Sequence, residues 1–437
     1  MRGAASILSQ ILAEQCCNRT ALKLRMTAWI VLHPSRYVRL AIASVFLLWP
    51  ALCASQPQAR GVLCSDGDGN YDAAFRTGVK VHVGAARHGG PATLATRACA
   101  AKLDWENQEL VVAEGASKLD LDAFGVDLGD GVPTAAFQIK QSDSDCCVEY
   151  RVYSLERPPR LLRSIRGGDF FSASDTDLDG SVEIWTDDAA AVDGFEKLTL
   201  SEFDSAPTVV FRFAHGQLLD VNAEFQSYFD NEIAGIRAGI LPQDLEEFKN
   251  NDGQLAVTPI PASAERLHRL RSVKIKVLEI VWAYLYSGRD GDAWRSLAEM
   301  WPPADLDRIH GAILKTRELG IHSQADGTST GPPRRKKKHA PVFDAVSRSG
   351  PGRKLEVVPP EAILLQRPAT SQQQAQPEFL DLVVDESGKV RSVEPEGKGK
   401  WVDPELMSAA LTWKFIPAFK DGRNVASRMR IAVSAKQ

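Results

Sequence analysis

The spacing of hydrophobic residues along this 437-residue chain changes from one region to the next. Residues 58–220 contain short runs in which apolar and polar residues alternate, separated by Asp- and Gly-rich turns. Alternation with a period of two places every second side chain on one face of a strand. This region is therefore predicted to be an antiparallel β domain, with strands at 79–83, 134–140, 148–154, 182–185 and 209–213.

Residues 221–322 have helical spacing instead. A helix near 264–287 carries Val273, Val277 and Ile280 on one face. Two further helices are predicted over 293–300 and 305–319. The first two of the three resemble a single tetratricopeptide-like hairpin, so this part is predicted to be an α-helical hairpin region. Large aromatic residues at this spacing favour a core, namely Trp282, Tyr284, Tyr286, Trp294 and Trp301.

The predicted fold class is multidomain, and a chain of this length has room for about three domains. Residues 323–376 are rich in Gly, Pro, Gln and basic residues, which is typical of a disordered linker. A small α+β domain follows them. The predicted boundaries are 1–55 for a signal region, 58–220 for the β-rich domain, 221–322 for the helical region, 323–376 for the linker and 377–437 for the C-terminal domain.

The composition, 44% hydrophobic and 25% charged, is that of a folded protein. It excludes a collagen-like chain, a wholly disordered chain and a polytopic membrane protein. The net charge is −4, so the chain as a whole is not positively charged and would not attract nucleic acid. No nucleic acid is therefore expected as a partner. The basic run 334–338 is predicted to be a solvated linker, with weak attachment to an anionic envelope surface as the alternative.

The N-terminal segment is typical of an export signal. Arg36 and Arg39 precede the apolar run 40–53, and small residues follow up to Ser55. The run is shorter than the roughly 20 residues that a spanning helix needs. We therefore expect cleavage near Ser55, with an uncleaved anchor as the alternative. Met26 would give a signal of ordinary length and is a candidate true start.

Four cysteines follow the signal, and an even count in an exported chain favours disulfides. They are Cys64, Cys99, Cys146 and Cys147. Adjacent cysteines bridge each other only with strain. One arrangement therefore pairs each of the adjacent two with Cys64 or Cys99, and the sequence leaves the connectivity open.

An Asp-rich loop is the sharpest chemical feature. Asp175, Asp177, Asp179 and Glu183 place carboxylates at positions 1, 3, 5 and 9, with Gly180 permitting a tight bend. Oxygen ligands on alternate residues suit Ca²⁺. The spacing resembles the calcium loops of FG-GAP repeats, the propeller blades of integrin α-subunits, over about 125–215. That resemblance implies a propeller-blade-like β domain, bound Ca²⁺ and a weaker second loop at 127–131, whereas the alternative is an ordinary strand-connecting turn.

Catalytic signatures are absent from the sequence. It contains no zinc-protease His-Glu-x-x-His, no Gly-x-Ser-x-Gly and no phosphate-cradling or dinucleotide-binding glycine motif. The chain is therefore predicted not to be an enzyme.

The C-terminal residues combine two strands, a short helix and a last strand. Asp403 and Pro404 start the helix, and Trp413-Lys-Phe415-Ile-Pro417 follows it. This ββαβ order with Trp-x-Phe-x-Pro resembles the C-terminal domain of the TonB family. The resemblance implies pairing by strand addition with a segment of an outer-membrane receptor.

We therefore expect an exported protein of a Gram-negative-type envelope, located in the periplasm, that acts in binding or scaffolding. Its partner would be an envelope protein or a receptor segment, bound by residues 377–437. The alternative is a TonB-type energy transducer held in the inner membrane by an uncleaved anchor. The predicted binding edge is the last strand, with Arg428 and Arg430 selecting an acidic extended segment and Ile431 and Val433 completing the edge.

Overall fold

The computed structural model describes residues 63–86, 98–143, 146–255, 264–329, 340–345, 357–366, 378–396 and 402–433. The predicted signal (1–55) and the basic run 334–338 lie outside these residues. Residues Gly61–Gln437 belong to one compact unit. In the described ranges, no helix has both the length and the apolar character needed to cross a membrane.

In the first half of the chain, the segments in which apolar and polar residues alternate form β-strands. The strands are β1 (Cys64–Ser65), β2 (Tyr71–Ala74), β3 (Lys80–Ala85), β4 (Cys99–Trp105), β5 (Gln108–Ala116), β6 (Lys118–Asp127), β7 (Pro133–Lys140), β8 (Val148–Ser154), β9 (Arg160–Gly168), β10 (Phe171–Ser174), β11 (Glu183–Asp187), β12 (Thr208–Ala214) and β13 (Gln217–Asp220). The five predicted strands fall on β3, β7, β8, β11 and β12. The prediction of an antiparallel β-rich region is confirmed.

These strands form three successive four-stranded meanders, β2–β5, β6–β9 and β10–β13. Each strand pairs antiparallel with the next along the chain. The short strand β1 adds to the second meander beside β6. Among the described residues the sheets stay open, and no closed barrel or propeller is formed.

Helices cover one side of the third meander. A short α1 (Ala189–Val192) connects β11 to β12, and the others are α2 (Gln226–Ala238), α3 (Pro242–Lys249), α4 (Ala264–Tyr286), α5 (Asp290–Met300) and α6 (Leu306–Glu318). The three predicted helices correspond to α4, α5 and α6. Val277, Ile280 and Trp282 of α4 are buried in the same hydrophobic core as Phe211 of β12, so the predicted apolar face belongs to a core.

Short strands occupy the described parts of 323–376, so the prediction of an unstructured linker is wrong there. They are β14 (Gly327–Thr328), β15 (Phe343–Asp344) and β16 (Glu361–Leu364). β14 pairs with β13, far back in the sequence. Because such pairing satisfies the main chain through distant partners, a Gly- and Pro-rich composition cannot exclude it.

The C-terminal lobe, defined as residues 378–433, contains the predicted two strands, helix and last long strand in that order, with three short strands between the helix and the last strand. It contains β17 (Glu378–Val384), β18 (Val390–Pro395), α7 (Pro404–Ala410), β19 (Lys414–Ile416), β20 (Ala418–Lys420), β21 (Arg423–Val425) and β22 (Ser427–Val433). The Asp403 side chain accepts a hydrogen bond from Glu405 N (2.9 Å), as expected of an N-cap. Trp413 and Phe415 are buried in the lobe's core.

The C-terminal lobe packs directly on the β-rich region. Lys414 pairs with the buried Asp120 carboxylate of β6. The Asn424 side chain donates to the Gly125 carbonyl (2.9 Å), and the Arg76 guanidinium lies 3.6 Å from the ring centre of Phe419. Polar and cation–π contacts therefore join the C-terminal lobe to the β-rich region.

The cysteines pair differently from the arrangement considered above. Cys64 is joined to Cys99, which links β1 to β4, and Cys146 is joined to Cys147. Neither adjacent cysteine is paired with Cys64 or Cys99. β1 pairs with β6, and the Cys99 sulfur of β4 contacts the main-chain carbonyl of Ser117, the residue before β6. Both cysteines of the first disulfide therefore lie beside the start of β6.

Candidate metal centre

The Asp-rich loop connects two neighbouring strands of the third meander. β10 and β11 run antiparallel, with Ser174 opposite Glu183, and residues 175–182 close the hairpin between them. Leu178 and Gly180 have φ values of 55° and 87°. Only glycine adopts such angles without steric cost, so Gly180 permits the bend as the sequence predicted.

Main-chain amides of the loop donate hydrogen bonds to the carboxylate of Asp175, the first residue of the loop. Its Oδ1 accepts a hydrogen bond from Asp179 N (3.0 Å), and its Oδ2 accepts one from Gly180 N (2.8 Å). Asp179 Oδ1 accepts from Ser181 N (2.8 Å). The main-chain amides thus hold the acidic side chains on the inner side of the turn.

Three of the four predicted ligands converge. Asp175, Asp177 and Asp179 each offer a carboxylate oxygen, and these oxygens lie within 4.8 Å of one another. Asp175 is completely buried, Asp179 is half-buried and Asp177 is exposed. The cluster could hold a metal ion, because like charges at this distance repel unless a cation or a proton lies between them.

Glu183 does not join this cluster. It begins β11, is completely buried, and lies 3.7 Å from Arg212 Nη1 of β12. Arg212 also holds Glu224, at 2.9 and 2.6 Å. The strand fixes the direction of the Glu183 side chain, so spacing in the sequence alone misplaced this ligand.

A different glutamate lies beside the loop. Glu386, in the turn between β17 and β18, is buried. Burial, and after it the Glu386 carboxyl, raises the pKa of Asp175. Sequence reasoning missed Glu386, since nothing local distinguishes Asp385-Glu386-Ser387-Gly388 from an ordinary turn.

The other acidic loops are stabilised as turns. Asp127 Oδ1 accepts from Gly129 N (2.8 Å) and Gly131 N (3.0 Å), and Asp130 Oδ1 accepts from Gly216 N (2.8 Å). In the part of the chain that the structure describes, the Asp175 loop alone gathers three or more potential ligands.

The residues of the predicted binding edge lie on β22. The side chains of Ile431 and Val433 face the core of the C-terminal lobe, whereas Arg428 and Arg430 are exposed on the opposite face. Arg430 pairs with Asp381 (2.7 and 2.9 Å) and Glu396 (2.7 Å). Its charge is therefore already matched within the lobe.

β22 is not a bare edge strand. The sheet order is β15-β22-β17-β18, and β15 pairs parallel with β22 at Ser427 and Arg428. The segment that carries β15 also contacts the acidic loop, since Ala340 N donates to the Leu178 carbonyl (2.6 Å).

No family model, no curated protein and no solved structure matches this chain. The assignment of a function therefore rests on the residues and contacts of the chain itself.

Proposed function

We propose that this chain is a non-catalytic, exported protein of the cell envelope that binds an extended partner segment by strand addition to β22. The proposal is supported by the export-type N-terminus and by the ββαβ lobe that resembles the TonB family. In that family, this domain binds receptor segments as added strands. The periplasm is the location that both features favour.

The observation that carries the proposal is the unequal pairing on the two sides of β22. Its inner side pairs with β17 along the whole strand, from Ser427 to Val433. Its outer side pairs with β15 at Ser427 and Arg428 only. Among the described residues, no strand pairs with the outer side of 429–433.

The outward main-chain groups can be assigned from the pairing with β15. Ala426 O accepts from Phe343 N (3.0 Å), and Arg428 O accepts from Ala345 N (2.9 Å), so these two residues point outward. Because strand residues alternate, the N–H and C=O of Arg430 and Ala432 point the same way. They form a ready template for one more strand that would continue from β15.

The side chains on this edge suggest how the partner is selected. Arg430 is matched by two carboxylates, whereas Arg428 is exposed at the end covered by β15. Selection for an acidic segment would therefore depend on Arg428 more than on Arg430. This refines the sequence-based expectation that both arginines select the partner.

Replacement of Ala432 by proline tests strand addition directly. Proline removes an N–H that points away from β17, so the lobe should still fold, as proline is tolerated at outward positions of edge strands. Ala432→Ser keeps the N–H and is the matched control. Capture of partners from envelope extract should fail with Ala432→Pro and persist with Ala432→Ser.

Circular dichroism verifies that both variants are folded. With a captured partner, amide hydrogen exchange at Arg430 and Ala432 should slow in the wild-type chain. If folded Ala432→Pro captures the same proteins as wild type, strand addition at β22 is refuted.

The cation of the Asp175 cluster is proposed to be Ca²⁺. The side chains that converge there are carboxylates, and hard oxygen ligands in an irregular loop suit Ca²⁺ better than the strictly octahedral Mg²⁺. At calcium about 100-fold above Kd, binding should raise the free energy of unfolding by about 2.7 kcal/mol. Calorimetric titration with Ca²⁺ and Mg²⁺ tests this, and Asp177→Asn should weaken the calcium response.

The location is tested by sequencing the N-terminus of the exported protein. A mature chain that begins near Ser55 supports a cleaved signal. A mature chain that retains 40–53 would instead support an inner-membrane anchor.

A further inference from the structure

The two disulfides lie in contrasting environments. Cys64 and Cys99 are 0% exposed, and their bond joins β1 to β4 across 35 residues. Cys146 and Cys147 are adjacent in the sequence, and both are only partly buried. A thiol in solution is therefore expected to reach the second disulfide far more easily than the first.

The second disulfide connects no separate elements of the fold. A bond between neighbouring residues closes only a small ring that contains the peptide between them. Its loss frees the unfolded chain very little, and it loosens no contact between two strands or helices. Such a bond can open and close while the protein stays folded.

The surroundings of the cysteine pair can accommodate both states. Cys146, Cys147 and Val148 pack against the hydrophobic core that includes Ile165 of β9. Reduced cysteine is itself a small apolar residue, so both side chains can keep these contacts after the bond is broken. Reduction therefore leaves no polar group stranded in the core.

The pairing at the start of β8, directly after the cysteine pair, is irregular. Val148 lies opposite Gly168, whereas Glu149 lies opposite Arg166, so Gly167 is an extra residue on β9. A bulge of this kind interrupts the regular ladder locally. A small movement of the cysteine pair can be absorbed there, while the pairing from Glu149 onward is kept.

We infer that Cys146 and Cys147 form a reversible thiol–disulfide exchange site, whose reaction partner is a dithiol. This inference goes beyond strand addition and calcium binding and depends on neither. The site is defined by two adjacent, accessible sulfur atoms whose bond the fold does not need. Cys64 and Cys99 form the structural disulfide of the same chain.

The exchange proceeds in two displacements. A thiolate of the dithiol attacks one sulfur of the pair, breaks the S–S bond and forms a mixed disulfide, while the other cysteine leaves as a thiolate. The second thiolate of the dithiol then attacks its own bound sulfur and releases the first cysteine. Two electrons pass to the protein, both cysteine thiolates take up protons, and the dithiol becomes a cyclic disulfide.

The test is graded reduction of the folded, full-length protein with dithiothreitol, followed by alkylation with iodoacetamide and mass spectrometry of the peptides. Cys146 and Cys147 should be alkylated together at a dithiothreitol concentration at least about tenfold below that needed for Cys64 and Cys99. Circular dichroism should show a folded chain at that concentration. Oxidised dithiothreitol should then close the bond again.

A variant with one cysteine of the pair tests the exchange itself. In Cys146→Ser, Cys147 should retain glutathione as a stable mixed disulfide after treatment with oxidised glutathione. In the wild-type chain, reduced first at the second disulfide, the neighbouring thiol should displace the glutathione and restore the bond. Cys147→Ser should behave like Cys146→Ser.

Several results would overturn the inference. One is reduction of Cys64 and Cys99 at the same or a lower dithiothreitol concentration. Another is reduction of Cys146 and Cys147 only when circular dichroism shows unfolding. The third is a pair of free thiols at 146 and 147 that oxidised dithiothreitol does not join, since the pair would then not be a disulfide-forming site.

Discussion

Lys389 Nζ donates a hydrogen bond to the main-chain carbonyl of Asp122 at 2.8 Å and lies 2.5 Å from Asp122 Oδ1. The ion pair is buried at the boundary between the C-terminal lobe and strand β6. Asp122 also accepts from the Tyr150 hydroxyl (2.8 Å) and Ala173 N (2.7 Å). Burial lowers the pKa of Lys389, and the Asp122 carboxylate opposes that shift. The contact thus connects the lobe to two meanders at once.

Replacement of Lys389 by methionine should strongly destabilise the protein. The variant keeps most of the side-chain volume but leaves Asp122 as a buried charge without its cation. Breaking one side of a buried pair costs roughly 3–5 kcal/mol. Urea unfolding measures the loss.

The control is Lys249→Met, which removes the partly exposed pair between Lys249 and Glu246 on α3. This change should cost about 1 kcal/mol or less. Equal losses in the two variants would contradict the role assigned to the contact between Lys389 and Asp122.

Replacement of Gly388 by alanine should destabilise the turn that carries Glu386. A Cβ there would lie 1.8 Å from the Phe415 carbonyl oxygen, and the φ of 83° is unfavourable for alanine. Gly422→Ala is the control, because its φ is 89° but nothing lies within 4 Å of the added Cβ. The control should lose about 1–2 kcal/mol from the left-handed conformation alone.

Gly388→Ala should lose about 2 kcal/mol more than Gly422→Ala, because the backbone must also move. Chemical denaturation followed by tryptophan fluorescence reports on the lobe through buried Trp413. A smaller loss in Gly388→Ala than in Gly422→Ala would show that the turn relaxes freely.

The sequence predicts the local elements well because their signals are local. Alternation identified strands such as β8, whose bounds Val148–Ser154 agree with the prediction, and helical spacing identified α4. The Asp175 loop was also identified, since its three converging aspartates lie within five residues. In each case, the residues that decide the structure are close together in the chain.

Long-range contacts could not be predicted in this way. The influence of the Glu386 carboxyl on the pKa of Asp175 depends on how the C-terminal lobe packs on the β-rich region. The pairing of β15 with β22 likewise depends on a distant strand. Glu183 was misplaced for a related reason, because spacing gives its position in the chain but the strand decides the direction of its side chain.

Removal of the disulfide between Cys64 and Cys99 should lower stability measurably. The two cysteines are 35 residues apart, and closing such a loop restricts the unfolded chain. The double variant Cys64→Ser, Cys99→Ser should lose roughly 2–4 kcal/mol in urea unfolding.

The second disulfide supplies the comparison. Cys146 and Cys147 are adjacent in the sequence, so their bond restricts the unfolded chain very little. Their double serine variant should lose about 1 kcal/mol or less. A larger loss there than for Cys64 and Cys99 would contradict an origin in loop closure.

Glu279 of α4 is the most informative buried carboxyl of the helical layer. Its Oε1 accepts from Asp204 N (2.8 Å) and Ser205 N (3.2 Å), and Oε2 has no hydrogen-bond partner among the described residues. Together with Glu232 and Trp282 it lines a small cavity. Burial, assisted by the charges of Asp204 and Glu232, raises the pKa of Glu279 to about 8.

Replacement of Glu279 by glutamine should therefore flatten the pH dependence of stability. In the unfolded chain this carboxyl titrates near 4.5, whereas in the folded protein it keeps its proton up to about pH 8. Between those values the unfolded state binds fewer protons, so the wild-type free energy of unfolding falls as pH rises and levels off above the window. Glu279→Gln cannot lose a proton, and at about pH 9 it should exceed wild type in stability by roughly 1–3 kcal/mol, the cost of an unsatisfied buried group.

Urea unfolding at about pH 5 and about pH 9 measures the difference, with Glu299→Gln on the exposed side of α5 as the control. An equal decline of Glu279→Gln and wild type across this range would show that the pH dependence originates elsewhere.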